Sequence, residues 1–107
     1  METLDSLRDW IDATPLALLV FTTPDCGVCN SIKPRLAELE HDHELLALRY
    51  VDTTTGPDLA AHYSVFAVPV LALFVAGRET VRFARYFGMH ELEGAISRYE
   101  WLLTQSD

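Results

Sequence analysis

The sequence predicts an α/β domain: a four-stranded mixed sheet with helices on both faces. Three observations predict it. Residues 16–21 (Leu-Ala-Leu-Leu-Val-Phe) are continuously apolar, as a strand buried on both faces must be. A helical pattern starts just after that strand and another apolar run lies beyond it, the sequence signature of a β-α-β unit, which crosses over right-handed. Two apolar runs late in the chain flank Ala76-Gly77, which reads as the turn of a hairpin.

Each element follows from its own spacing. Leu4, Leu7, Trp10 and Ile11 recur at helical intervals, so a first helix is expected over residues 3–13, with Thr3 or Asp5 as its cap. Thr14-Pro15 ends it, because a residue before proline is pushed out of the helical region. After strand 16–21, Val28, Ile32, Leu36 and Leu39 lie three or four apart and predict a helix with that face buried. Pro34 falls inside this helix, removes one backbone hydrogen bond and is expected to kink it. Residues 45–51 read as a strand, and Gly56-Pro57-Asp58 opens a short helix to about Tyr63. Residues 70–75 and 80–86 form the hairpin strands, with Arg82 and Arg85 suited to an exposed sheet edge. A last helix spans about residues 90–103, burying Leu92, Ile96, Tyr99 and Leu103; Trp10 and Trp101 are expected in the core.

Bulk composition narrows the function. The chain has 107 residues, half of them hydrophobic, enough for one compact domain over residues 1–107. Its net charge of −8 argues against nucleic acid as a partner, since phosphate binding needs a basic footprint. The acidic start lacks the basic and apolar stretches of a signal peptide, and no apolar run approaches bilayer length. A cytoplasmic monomer with no membrane contact is expected.

Only two cysteines are present, Cys26 and Cys29, and they bracket Gly27-Val28 at the strand-to-helix turn. A thiol pair in that context suits reversible disulfide chemistry, which a reducing compartment allows to cycle. Cys26 sits at a helix N-terminus, where free amides and the helix dipole favour a thiolate, so it is the expected nucleophile. Cys29, one turn deeper, is placed to resolve a mixed disulfide. Asp25 has two readings: a helix cap that competes with the Cys26 sulfur for amides, or a proton shuttle to Cys29. As a cap its charge also repels the Cys26 thiolate and is expected to raise the thiol pKa. Gly27 and Val28 shape the same turn. His41 and His43 do not complete a metal site with the cysteines, because they lie about 20 Å away along the helix. They read as surface or helix-end residues. No metal or cofactor is expected.

Several markers in order resemble the thioredoxin family, and the similarity covers nearly the whole chain. They are the dithiol after the first long strand, Pro34 eight residues after Cys26, Val68-Pro69 before a strand, Gly77 in the hairpin and Gly88 before the last helix. The resemblance implies the thioredoxin fold, with its usual first strand absent or vestigial here. It implies a thiol–disulfide oxidoreductase that exchanges the Cys26–Cys29 pair with protein disulfides. A thioredoxin-reductase-type or other dithiol reductant would regenerate it. It implies a cis peptide before Pro69, facing the dithiol, and a substrate surface of Phe66, Ala67, Val68, Pro69 and Gly88. Of the aromatic residues nearby, Phe66 is expected exposed and Phe87 in the core.

The chain also departs from the family. Asp25 stands where tryptophan precedes the first cysteine, Val28 where proline lies between the cysteines, Val20 where a buried aspartate lies, and Leu48 where its lysine partner lies. These losses leave a second reading open: a non-catalytic protein-binding module that uses the groove near Pro69.

Overall fold

In the computed structural model, residues 2–84 and 87–105 are described. The elements follow in the order α1 (Leu4–Ala13), β1 (Leu16–Thr22), α2 (Gly27–Asp42), β2 (Leu46–Asp52), α3 (Pro57–His62), β3 (Val70–Val75), β4 (Arg78–Ala84) and α4 (Met89–Thr104). The sheet runs β2-β1-β3-β4. β1 pairs parallel to β2 across the α2 crossover and antiparallel to β3, and β3 pairs antiparallel to β4. Among the described residues no strand precedes α1.

β1 is the central strand and all seven of its residues are buried. Its alternation divides the core in two. Ala17, Leu19 and Phe21 face one cluster with Leu7 and Ile11 of α1 and Leu59 of α3. Leu16, Leu18 and Val20 face another with Leu36 and Leu39 of α2 and Leu92 and Ile96 of α4. Helices therefore cover both faces, and α2 and α4 share one of them.

Local chemistry sets the element ends. Thr3, not Asp5, caps α1: its Oγ1 accepts from the Ser6 amide at 3.1 Å while Ser6 Oγ accepts from the Thr3 amide at 3.0 Å. In the hairpin turn Ala76 and Gly77 both have positive φ, 52° and 85°, the geometry that matches strand twist in two-residue loops. Gly77 has a second reason to be glycine, since a Cβ there would lie 3.0 Å from Asp12 Oδ1. β4 starts at Arg78, two residues earlier than the side-chain pattern predicts, because the turn closes directly into pairing between Val75 and Arg78. Arg82 lies on the edge strand as expected; the expected Arg85 and Tyr86 lie outside the described residues.

Two expectations are corrected. Trp101 is not core: it is 60% exposed on α4, whose buried residues are Leu92 and Ile96. Residue 101 falls five after Ile96, on the flank of the helix rather than beneath it. Val28 is not on the buried face of α2 either, being 51% exposed. The inward stripe is Cys29, Ile32, Leu36 and Leu39, spaced three, four and three, so Cys29 takes the place that apolar counting gives Val28.

Candidate active site at the open end of the sheet

Strand register brings the predicted site residues to one end of the sheet. Thr22 at the end of β1 is aligned with Asp52 at the end of β2. Phe21 is aligned with Val70 at the start of β3, and Val70 with Ala84 at the end of β4. The turn carrying the cysteines, the loop before β3 and the approach to α4 therefore all emerge there. Thr53 N–H donates to Thr22 O at 2.9 Å and ties the β2–α3 loop to the same end.

The chain turns out of β1 with Cys26 N–H donating to Thr23 O at 3.2 Å, and α2 begins at Gly27. Cys26 is the N-cap, and its Sγ accepts from the Cys29 amide at 3.1 Å. The two cysteines form a disulfide with Cα atoms 5.2 Å apart, within the span such a bridge needs. Cys26 is half-buried and Cys29 is fully buried. One sulfur thus meets solvent at the positive end of a helix, and the other lies behind it.

Asp25 is exposed and does not cap α2. The helix starts one residue later than a capping aspartate requires, and the sulfur of Cys26 takes the amide that a carboxylate would take. Gly27 is exposed, and a Cβ on it would meet nothing within 4 Å. Val28 is the apolar residue presented beside the disulfide.

The loop before β3 has the cis peptide Val68–Pro69. Pro69 is buried, Val68 half-buried and Ala67 exposed, while Phe66 is 88% exposed. Gly88 is half-buried at the N-cap of α4, with its N–H 3.4 Å from Glu91 Oε1. Phe87 packs partly into the α2–α4 core, its ring 5.6 Å from that of Phe83.

Beneath the disulfide the core is apolar. Val20 is fully buried and Leu48 packs against the same cluster, and Thr22 is the one buried polar residue among those described. Asp52, aligned with Thr22 at this end of the sheet, carries a strongly hydrogen-bonded carboxylate. Its Oδ1 accepts from the Thr54 hydroxyl at 2.6 Å and from the Thr54 amide at 2.8 Å. These bonds hold its carboxyl below the ordinary value, the hydroxyl contributing most.

Sequence reasoning missed a cavity of about 380 Å³ at this end. Thr23, Thr53, Pro57, Ala60 and Ala61 line it together with residues 65–68. No local spacing signals it, because it arises where the β1–α2 turn, the β2–α3 loop and α3 converge. The histidines lie elsewhere. His43 Nδ1 is 2.9 Å from Glu100 Oε1 at the far end of α2, and among the described residues no cluster of His, Cys, Asp or Glu could hold a metal ion. No helix of the described residues is long and apolar enough to cross a membrane.

The thioredoxin family model matches residues 3–98. The chain belongs to the thioredoxin family. It is 29% identical over 98 residues to the thioredoxin-like protein YdfQ of Bacillus subtilis, covering 92% of this chain and 88% of that one. A thioredoxin of Chlamydia trachomatis is 31% identical over 88 residues, covering 82% and 86%. A mutant thioredoxin from Halobacterium salinarum has the same fold, with a TM-score of 0.85 at 24% identity over 94% of this chain and 88% of that one. Family membership and the cysteine pair together indicate thiol–disulfide oxidoreductase chemistry.

Proposed function

We propose that this thioredoxin-family protein exchanges its Cys26–Cys29 dithiol with disulfides of other proteins. The observation that carries the reading is the asymmetry of the pair: Cys26 reaches solvent at the N-cap of α2 and Cys29 is buried behind it. In the reduced protein the Cys26 thiolate attacks one sulfur of a substrate disulfide, and the other sulfur leaves as a thiolate. Cys29, after losing its proton, attacks Cys26 Sγ, and the second substrate sulfur leaves. The substrate gains two electrons and the protein ends as the Cys26–Cys29 disulfide. An external dithiol, such as a thioredoxin-reductase-type system, then returns it to the dithiol. The Cys29 amide that meets Sγ at 3.1 Å supports the thiolate in the attacking state.

Substrate docking is assigned to Phe66, Ala67, Val68, Pro69 and Gly88, with Asp25, Gly27 and Val28 modulating the reactive turn. An extended segment would add to the Val68 backbone as a strand adds to an edge. The protein would act as a monomeric domain in the cytoplasm, whose poise suits a cycling dithiol.

One observation favours the rival, a binding module without turnover: the buried core under the disulfide holds no ionisable residue among those described. A redox-buffer titration trapped by alkylation and read by mass separates the two. A reversible Cys26–Cys29 couple supports exchange, with a poise near about −270 mV marking a reductant and near about −120 mV an oxidant. Absence of the couple across that range leaves the binding module, which must then keep its partner after Cys26→Ser with Cys29→Ser.

A further inference from the structure

The β3–β4 ladder breaks register once. Leu73 is aligned with Val81 and Phe74 with Glu79, so Thr80 is an extra residue on the edge strand. In an unbroken strand residues 79 and 82 would point to opposite faces. The extra residue puts them on the same one. Glu79 is aligned with Phe74 and Arg82 with Ala72, and both of those partners belong to the cluster that α1 and α3 cover. Arg82 and Glu79 then meet in a two-point ion pair, Nη2 to Oε1 at 2.7 Å and Nε to Oε2 at 3.0 Å.

The third guanidinium nitrogen reaches elsewhere. Arg82 Nη1 donates to the Ser64 carbonyl at 3.2 Å, across 18 residues of sequence. Ser64 is where the chain leaves α3: its amide donates to Ala61 O at 3.1 Å and the Val65 amide to Ala60 O at 2.8 Å. Its φ is 58°, a left-handed conformation that a residue with a side chain keeps only where its surroundings enforce it. The loop follows at once. Val65 and Pro69 are buried, Phe66 and Ala67 are exposed and Val68 is half-buried. Arg82 therefore pins the carbonyl at the base of the loop that ends at Pro69.

We propose that Arg82, aligned by the Thr80 bulge and locked by Glu79, is a positioning residue for disulfide exchange. It fixes residues 65–68 so that an extended substrate segment can pair with the Val68 backbone. The inference rests on the exchange reaction proposed above and adds the groups that set its docking edge. The hydrogen bonds of Arg82 go to Glu79 and Ser64 and to neither cysteine. Its effect thus falls on substrates that bring a backbone, and not on the reactivity of Cys26 itself. Arginine suits the role because its planar fork satisfies Glu79 at two points and still reaches a carbonyl; a lysine amine has no such fork. The opposite edge strand supplies a contrast. Arg49 of β2 meets Glu2 at 3.0 Å and lies over the Trp10 ring at 4.7 Å, an ion pair of similar exposure that holds no loop carbonyl among the described residues.

The test offers two disulfides to the reduced full-length protein. One is a short alanine-rich peptide whose single cysteine is a mixed disulfide with thionitrobenzoate. The other is the thionitrobenzoate dimer, which brings no backbone. Release of the coloured thiolate gives both rates. Arg82→Ala should lower the peptide rate about tenfold and leave the dimer rate in place, since a small displacement of a docking group is enough to cost that much. Glu79→Gln keeps an acceptor for Arg82 but drops the charge, so it should move the peptide-to-dimer ratio the same way by less. Arg49→Ala should leave the ratio at its wild-type value even where it lowers the urea midpoint. The ratio is taken within one protein, so an unfolded fraction lowers both rates and cancels. An unchanged ratio in Arg82→Ala, with the wild type reacting with both disulfides, would overturn the inference and leave exchange standing. An equal fall in Arg49→Ala would also overturn it, because the effect would then be one of stability. Should Arg82→Ala fail to fold, Glu79→Gln decides, and an unchanged ratio there sinks the inference. A wild-type protein inert toward both disulfides would overturn exchange and the inference with it.

Discussion

The two ends of α2 meet opposite demands. At its C-terminus the polar groups are tied down by distant side chains. His43 Nδ1 and the Leu45 amide both donate to the Glu100 carboxylate of α4, at 2.9 and 3.1 Å. The Leu48 amide on edge strand β2 donates to Glu40 at 2.9 Å. At mid-helix Arg35 bridges Glu38 of its own helix and Glu93 of α4, at 2.9 Å each. Among the described residues no side chain of α4 hydrogen-bonds to the first turn at the N-terminus. The Cys29 amide finds only the sulfur of Cys26, and Val28 and Phe66 stay uncovered. A helix whose far end is clamped can leave its near end open for a partner to complete, since local stability need not be uniform.

The largest expected effect breaks the open end outright. Cys26→Ser should abolish exchange with every disulfide, measured as loss of mixed-disulfide formation by mass. Its unfolding midpoint should match that of the reduced wild-type protein, because the serine hydroxyl still accepts from the Cys29 amide. A fall well below the reduced wild type would mean that the open end is also a structural anchor, and the contrast would fail.

Glu100→Ala attacks the clamped end. The side chains of His43 and Glu100 are only 12% and 22% exposed, so the substitution strands two donors in a largely dry place. A loss of about 1–3 kcal/mol in urea unfolding is expected, while the redox equilibrium of Cys26 and Cys29 stays in place. Glu100→Gln keeps an acceptor for one donor and should cost less. A shift in redox equilibrium with Glu100→Ala would show that the two ends are coupled.

The same contrast explains what could be read in advance. The sheet, its order of elements and the placing of Cys26 and Cys29 follow from periods of two and 3.6 and from turn residues, which act over a few positions. The clamp could not be read: His43 and Glu100 are 57 residues apart, and only the packing of α2 against α4 brings them together. The cavity was hidden for the same reason, since Thr23, Thr53 and Ala61 come from three segments. Trp101 misled because a large apolar side chain looks like core until the neighbouring elements show which flank of α4 they cover. Asp25 misled because aspartate is a strong cap in general, while here the sulfur one residue on already holds the amide.

Asp25→Asn sharpens the open end at smaller cost. The carboxylate adjoins Cys26 without capping the helix, so its effect on the sulfur is that of one negative charge on another. Removing it should speed alkylation of reduced Cys26 at neutral pH and should do so most at low salt. Equal or slower alkylation would mean that Asp25 assists the thiolate, as a proton shuttle would.

The smallest effect concerns Asp52, where the open end makes its own local bonds. Its folded carboxyl lies below the ordinary 3.8, chiefly through the Thr54 hydroxyl and then the Thr54 amide. A carboxyl lowered by folding contributes stability that is fully present above the unfolded value and is lost as pH falls through the folded one. The wild-type protein should therefore lose this contribution only below about pH 3.8, the ordinary carboxyl value. Thr54→Val removes the hydroxyl donor and leaves the amide, so less is gained above that pH and less is lost below it. Urea midpoints measured from neutral pH down through the carboxyl range should give the variant a shallower acid limb. Because Asp52 is only half-buried, the difference should shrink with salt. An acid limb identical to wild type would mean that Thr54 does not hold the carboxylate in solution.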